Sequence, residues 1–257
     1  MNILCIGDVC GHLGIAHLAA VLPMLKRNEK IDLIIANGEN SADGNGIIPH
    51  SARALFDAGV DVITGGNHTF RRREVFDMLD CEERLLRPAN MPDSAPGPGS
   101  TLLDFGRTMV GIINILGTTY MESLDCPFRT AEKEAETLRE KGAKIIMVDF
   151  HAEATSEKRA MGFWLDGKVS AVFGTHTHVQ TSDEQVLPHG TGYITDLGMT
   201  GPLQSVLGVK PEIIVSKFID KLPARFDQAE GECGLEGCIF NVDDKNGLCF
   251  GAKRIRI

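Results

Sequence analysis

The chain reads as an α/β fold built on two central sheets with helices on the outside. Three observations predict it. Five short apolar runs, each bounded by glycine or ending at a polar residue, have the length of strands buried on both faces. Segments of helical period lie between most of them. Hairpin signals after residue 100 and a β-rich pattern after residue 180 supply further strands.

Residues 2–7 form the first run and stop at Asp8. Leu18, Val21, Leu22 and Leu25 then recur at helical spacing. Residues 33–36 lead through Asn37 and Gly38 into Glu39 and Asn40, and Ala52, Leu55 and Phe56 after Pro49 give a second helix. Residues 62–64 pass Gly65 and Gly66 into Asn67 and His68, and a short helix is expected over 72–79. Residues 87–100 hold four Pro and two Gly, the composition of a surface loop. Residues 101–105 and 109–113 flank Gly106-Arg107 as a hairpin. Thr130 is the expected N-cap of a helix over 131–141 that ends at Gly142. Residues 145–148 lead to His151, and 171–174 lead to His176-Thr177-His178. A hairpin over 185–195, a helix over 211–222 and a last hairpin turning at Asn246-Gly247 complete the order. No repeat or linker divides the chain, so residues 1–257 are expected to form a single domain.

The 257 residues are 43% apolar and 24% charged, enough to bury a core without disulfides. Seven cysteines, an odd number with no CxxC pair, predict reduced thiols and a cytoplasmic location. The first apolar run has no basic lead and meets Asp8 too early for a signal peptide. No stretch nears the roughly 20 apolar residues of a membrane span, so no membrane partner is expected. A net charge of −9 argues against nonspecific binding to duplex nucleic acid. It does not exclude phosphorylated substrates, because bound cations can dominate the charge of a site.

Ligands of parallel sheets bind where the strands end. The strand-end residues here are rich in metal-binding chemistry. Asp8 and Glu39 offer carboxylates, Asn40 and Asn67 amide oxygens, and His151, His176 and His178 imidazole nitrogens. A mixed nitrogen and oxygen set suits Mn, Fe or Zn better than Ca or Mg. Seven donors exceed one four-coordinate ion but suit two that share a bridging Glu39. Two divalent ions outweigh two carboxylates, leaving a positive centre for a phosphate. A lone histidine is more often structural, and an Asp after a strand is often a helix cap. His12, His17, His50 and His189 belong in that structural group. The turn over residues 7–14 lacks the G-x-G-x-x-G spacing of a dinucleotide site. An amidohydrolase would place its H-x-H after the first strand, whereas this one comes late.

The pattern Gly7-Asp8, Gly38-Glu39-Asn40, Gly66-Asn67-His68, His151 and Gly174-Thr175-His176-Thr177-His178 resembles the calcineurin-like metallophosphoesterases. Within them it is similar to the YmdB-like branch, whose bacterial members act on 2′,3′-cyclic nucleotides. The blocks 36–42, 126–129, 149–158 and 196–202 extend the likeness over nearly the whole chain. The resemblance implies a four-layer αββα sandwich of two mixed sheets flanked by helices. It also implies one ion on Asp8, Glu39, Asn40 and His178, and another on Glu39, Asn67, His151 and His176, with Fe and/or Mn ahead of Zn. The wider superfamily has histidine where Cys10 stands. In the branch that ligand is also missing and Asn40 compensates.

The expected reaction is hydrolysis of a phosphodiester by a metal-bound hydroxide, with His68 protonating the leaving oxygen as general acid. The expected partner is a cyclic nucleotide or another small phosphodiester, with RNA and a homo-oligomer left open. Arg71 and Arg72 are candidates to steer the phosphate, and Phe70, Tyr120, Phe150 and Met199 to face a base. The alternatives are a phosphomonoesterase, a broad nuclease, or a nucleotide-sensing regulatory module without turnover. An unligated acid beside the metals has no use in the last.

Overall fold

The structure is a computed structural model that describes residues 1–43 and 45–257. A seven-stranded sheet contains β1 (Asn2–Ile6), β2 (Asp8–Val9), β3 (Leu33–Asn37), β4 (Val62–Thr64), β11 (Met199–Pro202), β12 (Cys233–Val242) and β13 (Cys249–Arg256). β1, β3 and β4 are parallel neighbours, and β12 runs antiparallel to β1 and β13. A six-stranded sheet takes the order β5 (Ser100–Asp104), β6 (Met109–Leu116), β7 (Ala143–His151), β8 (Ala171–Thr175), β10 (Gly192–Ile194) and β9 (Gln185–Val186). Its strands β6, β7, β8 and β10 are parallel, with antiparallel edges. Both sheets are therefore mixed.

The two-residue period of a strand sorts each apolar run into two cores. From β1, Ile3 and Cys5 face the second sheet and meet Val110, Ile112, Met147 and Phe173. Leu4 and Ile6 face outward onto Leu18, Leu22 and Leu25 of α1 (Gly11–Asn28) and Leu55 of α2 (Pro49–Asp57). On the far side, Ile113, Ile146, Val148 and Phe150 of the second sheet pack on α4 (Pro127–Glu140) and α5 (Thr155–Trp164). Three cores between four layers make the αββα sandwich that the resemblance implied.

Several local expectations shift. Two 3₁₀ turns, Thr69–Arg71 and Arg73–Val75, precede a short α3 (Phe76–Cys81) in place of one helix over 72–79. α4 starts at Pro127, because a proline at the first turn needs no donor, so Thr130 lies inside the helix instead of capping it. The segment 85–91 is largely buried, not a surface loop. Leu85 bridges Ile63, and the Asn90 side chain exchanges hydrogen bonds with the Leu116 backbone at 2.8 and 3.0 Å. β2 and β11 had not been expected; a helix between the 145–148 and 171–174 runs (α5), the hairpin over 185–195 and the helix α6 (Pro211–Asp220) had.

Candidate metal centre

The carboxyl ends of the parallel strands from both sheets meet on one rim. The first sheet delivers oxygen-bearing side chains. Asp8 directly follows β1, separated only by Gly7, and its carboxylate is fully buried. Glu39 and Asn40 follow β3, and Asn67 and His68 follow β4. Gly66 is what lets the two sheets close on each other. A Cβ there would stand 2.3 Å from Glu39 Oε2 and 2.5 Å from His151 Nε2.

The second sheet delivers imidazoles. His151 is the last residue of β7 and has no solvent exposure. Its Nε2 lies 3.0 Å from Asn67 Oδ1, 3.1 Å from His176 Nδ1 and 3.4 Å from Glu39 Oε1. The donor atoms of Glu39, His151 and His176 fall within 4.8 Å of one another. A second cluster adjoins it. His178 Nε2 stands 3.5 Å from Asp8 Oδ1 and 3.3 Å from Asn40 Nδ2, which also donates to Glu39 Oε1 at 2.9 Å. Among the described residues Asp8 Oδ1 has no hydrogen-bond partner. All seven expected donors thus come together, and Glu39 touches both groups.

His176 and His178 sit at φ 102° and 61°. Non-glycine residues rarely hold this backbone, and it persists only where the surroundings fix it. The fixing groups are named by the structure. The buried Lys158 ammonium donates to Thr175 O at 2.7 Å and to Asp196 Oδ2 at 2.5 Å, and the same oxygen accepts from Thr177 N–H at 3.1 Å. His176 N–H donates to Asp8 Oδ2 at 3.0 Å.

His151 is oriented differently. Thr175 Oγ1 donates to Asp149 Oδ1 at 2.7 Å and lies 2.9 Å from His151 Nδ1. A hydroxyl has one proton, so having given it to the carboxylate it accepts from Nδ1–H. That sets the tautomer and points the Nε2 lone pair at the cluster. Asp149 also accepts from Thr64 Oγ1 at 2.5 Å and Asn37 Nδ2 at 3.1 Å. Burial nevertheless pushes its carboxyl up to about 6, against the pull of His151 and these donors. Sequence reasoning missed Asp149 and Thr175. Their signal was a carboxylate and a hydroxyl inside otherwise apolar runs.

The remaining groups respond to the crowding of charge. Burial alone would raise Glu39, but His151 and His68 hold it well below the usual carboxylate range. Burial would lower His151, yet Glu39, Asp8 and Asp149 raise it above the ordinary histidine value. His178 is likewise raised despite burial, by Cys10 and Asp8. His176 goes the other way, to about 4, through burial and the neighbouring His151.

His68 lines the cavity above the cluster. Its Nδ1 lies 2.9 Å from Asn40 Oδ1 and 3.1 Å from Glu39 Oε1. Cys10 Sγ is 3.6 Å from His178 Nδ1, the ring nitrogen opposite the one that faces Asp8, so it orients that ring from behind. Arg72 is spent on the backbone oxygens of Asp43 and Asn45, and neither it nor Arg71 lines the cavity. None of the expected base-facing residues does either. Phe70 and Phe150 pack in cores, Tyr120 is 89% exposed elsewhere, and Met199 lines a neighbouring cavity. His12 and His189 pair with Asp43 and Asp166, and neither they nor His17 and His50 join the cluster.

An αββα sandwich whose two sheets aim nitrogen and oxygen donors at one rim defines a metallophosphoesterase, a hydrolase. A model of the YmdB-like protein family matches residues 4–255, and the chain belongs to that family. It is 44% identical over 257 residues to the 2′,3′-cyclic-nucleotide 2′-phosphodiesterase of Bacillus subtilis, covering all of this chain and 97% of that protein. Two solved structures superpose with a TM-score of 0.93. One is a Thermus thermophilus protein described as hypothetical, 38% identical, with 100% of this chain and 99% of that one covered. The other, described as a novel phosphatase of Mycoplasma pneumoniae, is 34% identical, with 100% and 93% covered. Among the described residues no helix is long and apolar enough to cross a membrane, and all seven cysteines are free.

Proposed function

We propose that the chain, acting as one catalytic domain, hydrolyses 2′,3′-cyclic nucleotides. Water adds across the bond between phosphorus and the 2′-oxygen and leaves a nucleoside 3′-monophosphate. The observation that carries this reading is the gathering of Glu39, Asn67 and His176 donor atoms around His151 Nε2, on the floor of a cavity that His68 also lines. The choice of substrate follows the Bacillus subtilis relative.

The donor set fits metal ions. A buried carboxylate oxygen without a partner, such as Asp8 Oδ1, is costly unless a cation faces it. The donors are nitrogen and oxygen, the mixture that Mn, Fe or Zn takes. Asp8, Glu39, Asn40 and His178 would hold one ion, and Glu39, Asn67, His151 and His176 the other. Bound there, the ions would supply positive charge to the phosphoryl oxygens and acidify a water.

The protein's own residues handle the leaving group. His68 Nδ1 contacts only acceptors in this geometry, Asn40 Oδ1 and Glu39 Oε1, so it carries the proton. Asn40 presents its amide nitrogen, not its oxygen, toward Glu39 and His178. For Asn40 to act as a ligand its amide turns by half a revolution. The turn puts the NH₂ group against His68 Nδ1, which then accepts. The ring proton moves to Nε2, the nitrogen left for substrate. Loading Asn40 as a ligand and arming His68 as a general acid are thus one event.

The test is elemental analysis of purified protein, then rates on cyclic nucleotides, linear diesters, short RNA and monoesters with the metals found. Two transition-metal equivalents and a preference for cyclic nucleotides are expected. Protein that holds no transition metal, and regains no activity from any after chelation, sinks the dinuclear reading. The Mycoplasma pneumoniae structure's description favours a second reading, a phosphomonoesterase. Comparable kcat/KM on a monoester panel would select it.

A further inference from the structure

The floor of the cavity is polar, but one wall is not. Loop residues Leu207 and Val209, α6 residues Ile214 and Phe218, and Phe226 line the same space as Glu39, His68 and His178. The cavity encloses about 480 Å³, within the roughly 300–1,000 Å³ of small-molecule sites. Phe218 is 65% exposed and Phe226 42% exposed, large apolar areas for side chains that face water. The Lys217 ammonium lies 4.5 Å from the centre of the Phe226 ring, a cation–π contact that holds the ring in place.

The wall is fastened to the metal-binding rim. Gln228 Nε2 donates to Cys10 O at 2.9 Å, in the turn that follows Asp8. Lys210 N–H donates to Asp227 O at 3.0 Å and Ala229 N–H to Gly208 O at 2.9 Å, so the 206–210 and 227–229 segments pair like short strands. The backbone on either side of the two aromatic residues is therefore tied to the rim that carries Asp8 and His178. A phosphate bound at the floor leaves the rest of its molecule against this wall.

We propose that Phe218 and Phe226 form the nucleobase subsite, a stacking surface that takes purines and pyrimidines alike. Stacking is tolerant of base identity because every base offers a π-face. Apart from Asp227 and Gln228 at its edge, the wall is apolar among the described residues, and Lys217 adds positive charge beside the rings. This inference rests on the cyclic-nucleotide reading and adds the part of the substrate that the metal ligands do not touch.

The experiment compares two five-membered cyclic diesters, adenosine 2′,3′-cyclic phosphate and the base-free glycerol 1,2-cyclic phosphate. It uses the metal-loaded wild type, Phe226→Ala, Phe218→Ala and Phe226→Trp. Both phenylalanines are partly exposed, so the alanine variants should fold, which a thermal melt checks. Each alanine variant is expected to raise KM for the nucleotide about tenfold, the size of one base–aromatic stack, with kcat nearly unchanged. The base-free diester should be unaffected, Phe226→Trp should restore the nucleotide KM, and cytidine should behave like adenosine. Equal losses on both diesters, or no loss on either, would overturn the subsite. Equal losses together with a smaller particle by light scattering would mean that the rings hold a second copy of the chain instead. Failure of the parent reading looks different: the wild type would then cleave monoesters and neither cyclic diester.

Discussion

The two sheets furnish the rim in contrasting ways. The first sends carboxylates and amides from the residues that follow β1, β3 and β4, and Glu39 among them touches donors from both sheets. The second sends only imidazoles, and it fixes them by two unlike devices. His151 is held within a strand, its tautomer set by Thr175 and Asp149. His176 and His178 are held on strained backbone by a buried ammonium–carboxylate pair beneath the loop. Oxygen donors with short side chains follow directly from the strand ends. Imidazoles need a second layer to choose which nitrogen faces the ion. The second sheet should therefore be sensitive to substitutions at residues that only orient a ligand, and the first sheet should not.

The residue common to both halves should matter most. Glu39→Gln keeps the shape and removes the charge, and it should empty both ion positions and abolish measurable diester hydrolysis. Asp8→Asn should mainly empty one. Metal content per chain, read by elemental analysis, separates the two results. If Glu39→Gln keeps both ions, Glu39 is no bridge and the halves are independent.

His68 belongs to the first sheet but is expected to bind no metal. His68→Ala should retain both ions and lower kcat by roughly 10²–10⁴-fold, the usual worth of a general acid. The loss should shrink for a nitrophenyl ester, whose leaving group departs without a proton. Loss of metal, or equal slowing of both substrates, would make His68 a ligand or a binding residue.

The contrast between the sheets is tested most directly by a matched pair. Thr175→Val and Thr64→Val each remove one hydroxyl donor from Asp149, but only Thr175 reaches His151. Thr175→Val should weaken metal binding by about 10–100-fold, the usual range for an outer-layer partner. Thr64→Val should do much less. Equal effects from both would mean that Asp149 burial, and not the His151 tautomer, is what the ions feel.

Much of this rim was legible in the chain because each candidate ligand stands at or just past the end of an apolar run, most of them close to a glycine. Two sheets with helices outside were legible from continuous apolar runs between helical patterns; the four layers came from the resemblance, and only the structure assigns alternate side chains of each run to different cores. The aromatic wall was not legible. Phe218 lies on the expected helix α6, but Leu207 and Phe226 lie outside any strand or helix, and Phe70 and Phe150 looked equally plausible until packing placed them in cores. β2 and β11 escaped because strands of two and four residues carry too little pattern.

Protonation extends the comparison. In the metal-free protein His151 and His178 are raised above the ordinary histidine value, whereas His176 falls to about 4. At pH 7 His176 is therefore neutral and ready, while the two raised rings keep their protons to higher pH than an ordinary histidine, and an ion must displace them. Metal binding should release protons, and affinity should fall about tenfold per pH unit for each proton displaced as the pH drops. Calorimetry in two buffers of different ionisation enthalpy measures the number released. No release would mean that both rings are already neutral.

The smallest effect should come from Glu153, which lies at the rim of the cavity and leans on the second sheet's loop. Its Oε2 is 3.0 Å from His176 Nε2, while His176 Nδ1 points at His151 Nε2. A carboxylate accepts only, so it keeps the His176 proton on Nε2 and the lone pair of Nδ1 toward the cluster. Thr175 does the same for His151 from a fully buried position. The Glu153 side chain is 53% exposed, and water screens it. Glu153→Gln can still accept through its amide oxygen, so it should weaken metal binding only a few-fold. Glu153→Leu offers no acceptor, and water must take its place, so its loss should be larger but still below that of Thr175→Val. Competitive titration with a metal-sensitive dye ranks the three variants. A Glu153→Leu loss as large as that of Thr175→Val would show that the loop histidine depends on its partner as strictly as the strand histidine does, and the contrast between the two devices would fall.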